Sequence, residues 1–136
     1  MPIERMAARI CREAGARVTT DTFVRDLNLD AAVRDNRKLE VIANGLPLYH
    51  GAQLAVDATL VCPVKRNGRP QPRSDTVPGA WLTEARKRKN NTYPELVGGR
   101  RCRLIVLAGE VGGRWSDETA IFLRLLARAR ARTVPE

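Results

Sequence analysis

Three ionisable side chains stand where the surrounding sequence favours something apolar, and side chains of these types could jointly hold a cation and stabilise an anion. Asp57 sits at the centre of Gln53-Leu54-Ala55-Val56-Asp57-Ala58-Thr59-Leu60-Val61, eight of whose nine residues are apolar or uncharged. Asp is depleted in strands and seldom buried without a partner. It reads either as a local cap or arginine partner, or as a metal-binding carboxylate held on a rigid element. Glu40 lies in Arg37-Lys38-Leu39-Glu40-Val41-Ile42-Ala43-Asn44-Gly45, an otherwise strand-like run ending in a turn pair. Lys89 recurs with Trp81, Ala85 and Tyr93 at helical spacing, which predicts an inward-facing stripe. A lysine there either snorkels to the rim or brings its ammonium to carboxylates on a sheet.

The elements that must position these groups follow from periodicity and breakers. Residues 4–15 read as a helix with Met6, Ala7, Ile10, Cys11 and Ala14 as its apolar stripe and Gly15 as its stop. Arg17–Val24 is polar and β-branched, an edge strand, and 25–37 is charged and aperiodic, hence loop. In the second strand Leu39, Val41 and Ala43 are expected on one face and Lys38, Glu40 and Ile42 on the other. If this strand pairs antiparallel with Gln53–Val61, Glu40 and Asp57 can share a face. Prolines at 63, 70, 72 and 78 make 63–79 an exposed loop. A helix is predicted from about Gly79 to Tyr93, then a buried strand Arg103–Ala108 running into Gly109-Glu110-Val111-Gly112-Gly113. Ser116 is placed to cap a last amphipathic helix, with Asp117 and Glu118 in its first turn.

The chain has 136 residues and 43% hydrophobic residues, enough for a single cored domain. Within it we expect an N-terminal helix and edge strand over 1–37, a central unit over 38–113 and the terminal helix over 114–136. No apolar run approaches the ~20 residues that span a bilayer. The N-terminus lacks an apolar signal core, so the expected location is intracellular, cytoplasm or nucleus. Cys11, Cys62 and Cys102 show no metal-binding or disulfide spacing and read as buried hydrophobes. His50 lies alone in a Gly-Pro loop and makes a poor base. The net charge of +9 is uneven: residues 1–63 carry eight basic and eight acidic groups, 64–101 carry ten and three, and 102–136 carry six and four. Lys65, Arg66, Arg69, Arg73, Arg86, Lys87 and Arg88 concentrate the excess, and such a surface suits a polyanion, duplex phosphate above all.

The order helix, strand, acid-bearing strand, acid-bearing strand, lysine-bearing helix, strand, helix resembles the restriction-endonuclease-like core of the PD-(D/E)XK superfamily. It is more closely similar to the endonuclease domain that follows the reverse transcriptase in some non-LTR retrotransposons. Lys38-Leu39-Glu40 stands where that family has a basic residue before Pro-Asp, and Val56-Asp57-Ala58-Thr59-Leu60 matches its second-acid run. Lys89 with Tyr93 matches its helix pair, and the likeness spans roughly 38–113. Leu39-Glu40 replaces Pro-Asp, and Thr59 replaces the usual motif lysine, so the cation must come from the helix.

The resemblance implies an α/β fold with a small mixed sheet flanked by helices. It also implies a metal-dependent endonuclease that hydrolyses DNA phosphodiester bonds using Mg²⁺ or Mn²⁺. Glu40 and Asp57 would hold the ion and Lys89 would stabilise developing negative charge. Gln53 and Glu84 are candidates for positioning water or substrate, Tyr93 is the helix partner of Lys89, and Glu110 is a support or a turn residue. The partner is DNA, held by its backbone, together with a reverse transcriptase domain that this chain lacks. The other functional classes are a nucleic-acid-binding remnant of the same fold without catalysis and a protein-interaction domain with an incidental basic loop.

Overall fold

The structure, a computed structural model, describes residues 2–27, 35–62, 67, 69, 80–97 and 102–133. It is mixed α/β: α1 (Pro2–Glu13), β1 (Arg17–Phe23), β2 (Lys38–Asn44), β3 (Gln53–Val61), α2 (Ala80–Thr92), β4 (Cys102–Glu110) and α3 (Asp117–Thr133). The four strands form one sheet in the order β1-β2-β3-β4, antiparallel except for the parallel β3/β4 pair. The parallel pair needs a crossover, and α2 provides it. No described helix is long and apolar enough to cross a membrane.

Each face of the sheet carries its own core. Val41, Ala43, Leu54, Val56, Ile105 and Leu107 pack against α1 and α3. Leu39, Ile42, Ala55, Leu104, Val106 and Ala108 pack beneath α2 with Leu82, Ala85 and Tyr93. Along α1 the buried stripe is Ala7, Ala8 and Cys11, continued just past its end by Ala14, so small side chains bring the helix close to the sheet. Met6, expected on that stripe, is 62% exposed, because it precedes Ala7 by one residue and so by about 100° around the axis. Cys11 and Cys102 are buried, which pushes each thiol up to about 11, whereas Cys62 is exposed, against expectation. Ser116 caps α3 as predicted, its Oγ accepting the Thr119 N–H at 3.2 Å.

The alternation expected of β2 slips at Glu40. Leu39 joins the α2 side while Val41 and Ala43 face α1, although all three belong on one face of a regular strand. The cause lies in the pairing with β1. Thr20 pairs with Val41 and Thr22 with Leu39 in unchanged register, but the intervening Asp21/Glu40 pair drops out and Asp21 takes φ 51°. No residue is inserted; both strands swivel at one position, with a short acid tolerating the left-handed conformation. The swivel turns Glu40 away from the face on which simple alternation would leave it.

β4, the most apolar strand, is nevertheless an edge strand, and an unpaired apolar edge invites aggregation. Its outward-facing backbone groups are occupied at alternate residues. Arg86 Nη2 donates to Leu104 O at 3.3 Å, the Val106 N–H donates to Glu118, and the Ser116 N–H donates to Ala108 O at 2.9 Å. The Trp115 ring lies over Gly109, where an added Cβ would stand 2.8 Å from it.

Candidate functional site

β2 and β3 pair only from Val41/Val56 to Ala43/Leu54 and then part. Continuing that register by one residue sets Glu40 opposite Asp57, so both predicted acids stand at the mouth of the fork between the strands. Asp57, 8% exposed, is on the α2 side, two residues beyond buried Ala55. There Lys89 Nζ lies 2.9 Å from Asp57 Oδ2. The contact is an ion pair rather than an aligned hydrogen bond, since Oδ2 accepts none. Two of the three residues singled out in the sequence therefore meet directly, and the lysine reaches the sheet rather than snorkelling to the rim.

Glu40 belongs to the other side of the fork. Its carboxyl is held above the ordinary glutamate range, first by desolvation and then by the charge of Glu4, against the pull of the N-terminal ammonium; a hydrogen bond with Glu4 and a smaller push from Asp57 add to the rise. Glu4 comes from the first turn of α1 and is 6% exposed. A cleft of about 370 Å³ between α1 and the β1/β2 swivel is lined by Glu4 and Glu40 together with Asp21, Thr20, Arg5 and Arg12. Two carboxyls sharing a hydrogen bond, Glu4 buried and Glu40 exposed, favour a proton or a cation between them. Glu4 escaped sequence reasoning because an acid in a first helical turn is the ordinary complement of the helix dipole.

A second residue missed in the sequence sets the position of α2. Arg37 Nη2 meets Glu95 Oε1 at 2.6 Å, its Nε meets Asp35 Oδ2 at 2.9 Å, and its Nη1 donates to Thr92 O at the end of α2. These bonds hold the Asp35 and Glu95 carboxyls below the ordinary carboxylate range, in each case chiefly through the hydrogen bonds from Arg37. Tyr93 is buried, and its hydroxyl donates to Lys38 O at 3.1 Å. Arg37 and Tyr93 thus lock the C-terminal end of α2 onto the start of β2, which fixes Lys89 over Asp57. Tyr93 is near the site as expected, with desolvation first and then the Asp57 charge raising its phenol.

Other predicted residues lie elsewhere. Gln53 shares the face of Asp57 but is four residues back along β3, about 13 Å away. Glu84 points to a different side of α2 from Lys89 and stands 3.5 Å from Lys87. Glu110 is the last residue of β4, its N–H bonded to Arg114 O at 2.7 Å and its carboxylate 3.8 Å from Arg114 Nε, away from the fork. Arg86, predicted to meet nucleic acid, is turned inward to plug the β4 edge and stands 3.4 Å from Glu118. Lys87, Arg88 and Arg69 are exposed, as a phosphate-binding role requires. Lys65, Arg66 and Arg73, and most of the 63–79 loop, lie outside the described residues. His50 is exposed with φ 59°, in the turn before β3.

Among the described residues no three His, Cys, Asp or Glu side chains converge on one metal position. The carboxylates suit a hard divalent ion that takes one or two protein oxygens and completes its shell with waters and a phosphate oxygen. No protein-family model matches the chain, and no curated protein is detectably similar to it in sequence.

Proposed function

We propose that this chain is a metal-dependent DNA endonuclease domain of the restriction-endonuclease-like type, akin to that of non-LTR retrotransposons. The observation that carries the reading is the 2.9 Å approach of Lys89 to Asp57 at the fork, with Glu40 at its other lip. The element order α-β-β-β-α-β-α and the antiparallel, antiparallel, parallel sheet agree with that fold. Glu40 and Asp57 would hold Mg²⁺ or Mn²⁺, with Glu4 beside Glu40. When bound, such an ion polarises a phosphodiester and lowers the pKa of a bound water. Lys89, positioned by the Arg37 network, supplies positive charge where the scissile phosphate becomes more negative. Lys87, Arg88 and Arg69 contact the DNA backbone.

A specific observation favours a second reading, a nucleic-acid-binding domain without catalysis. Glu40 opens toward α1 while Asp57 and Lys89 face α2, so the acids do not point into one cavity. Asp57→Ala separates the two. On the nuclease reading it abolishes Mg²⁺-dependent nicking of plasmid DNA and leaves salt-sensitive binding in place. Binding by the parent chain without any cleavage, with either ion, would select the second reading. Binding that does not weaken with salt would remove both.

A further inference from the structure

The first 63 residues balance eight bases against eight acids, which hides how the α1 charges are arranged. In the cleft beside α1, Glu4 and Glu40 lie against one another, while Arg5 and Arg12 line the same space from exposed positions. Neither guanidinium has an ion pair or hydrogen bond among the described residues. Arg9, between them on the same helix, has its Nε 3.2 Å from Glu13 Oε1 and does not line the cleft. With three carboxylates lining the cleft, two arginines that pair with none of them leave acids and cations segregated side by side. That separation matches a phosphodiester lying over a metal site: the carboxylates attract the cation and repel the strand, and free guanidiniums at the rim take its phosphates.

We propose that Arg5 and Arg12 grip two phosphates of the strand that lies over Glu40, so that the nucleic-acid backbone crosses α1 as well as α2. The two are seven residues apart, two turns on one helical face and about 10 Å along the axis, so both guanidiniums can reach phosphates of one strand. The exposed Thr20 hydroxyl in the same cleft adds a neutral donor between the helix and the swivel. This surface rests on the nucleic-acid reading above and adds to it a binding track outside the basic middle third.

The test is fluorescence anisotropy of a labelled duplex oligonucleotide, titrated without divalent ion across about 50–200 mM salt. Each phosphate contact contributes about 0.9 to the log–log salt slope. The Arg5→Gln/Arg12→Gln chain is therefore expected to lose close to two from that slope, and Arg9→Gln to leave it unchanged. Glutamine keeps helix propensity and both sites are exposed, so folding is preserved, as circular dichroism would check. An unchanged slope in the double variant, with a parent chain that binds, overturns the α1 track and leaves the nuclease reading standing. A parent chain with no salt-sensitive binding overturns both.

Discussion

The two lips of the β2/β3 fork treat their acids in opposite ways. On the α2 lip Asp57 has Lys89 at 2.9 Å, and the Arg37 network behind it gives Asp35 and Glu95 a cation each shares. On the α1 lip Glu40 has another carboxyl for a neighbour and arginines that stay at the rim. The first lip pairs its acid with a cation from α2; the second sets two carboxyls against one another. The contrast teaches that α2 brings a cation onto its acid, while α1 gathers carboxyls beside arginines that stay at the rim.

Variants can break this contrast, and the largest effect is expected on the α2 lip. Asp57→Asn should reduce Mg²⁺-dependent cleavage by at least about 100-fold, as removal of an electrostatic group at a reacting centre typically does. Arg37→Ala frees the end of α2 and strips Asp35 and Glu95 of their donor. We expect a loss of about 1–3 kcal/mol in denaturant unfolding, with cleavage falling too as Lys89 drifts from Asp57. Gly109→Ala tests the β4 edge, remote from the fork. A methyl at 2.8 Å from the Trp115 ring should cost about 1–3 kcal/mol in stability while leaving metal dependence unaltered.

The smallest effect carries opposite signs on the two lips. Glu40 is held above its ordinary range, so its folded form binds the proton more tightly than the unfolded chain. Stability from this group is fully present below the ordinary glutamate range and is lost as pH rises through the raised value. Glu40→Gln should therefore raise the metal-free Tm by about 1–3 °C above that window and by nothing below it. Glu95 is held below its ordinary range, so its contribution is present above that range and lost as pH falls. Glu95→Gln should lower Tm at neutral pH, the penalty shrinking under acid. Thermal melts across pH 3–8 check both.

Much of this was readable in the sequence. The isolated Asp in an apolar run announced Asp57, and helical spacing from Trp81 to Tyr93 aimed Lys89 inward, because burial imposes period on strands and helices alike. The facing of Glu40 was not readable. It depends on a swivel at Asp21, a residue on a different strand whose backbone conformation leaves no mark on alternation. Glu4 and Arg37 act through partners 36 and 58 residues away, and a lone charge in a sequence carries no address. Arg86 was misread because a basic cluster resembles a polyanion surface whether or not one member is needed to plug a strand edge.

The claim that the fork is a divalent-cation site is tested most directly by sub-stoichiometric Mn²⁺ in a ¹H–¹⁵N NMR titration of the chain without DNA. The backbone signals of Glu4, Glu40 and Asp57 are expected to broaden first, and Glu40→Gln to abolish the effect. Sharp signals at those three positions, while acids elsewhere broaden, would contradict the claim.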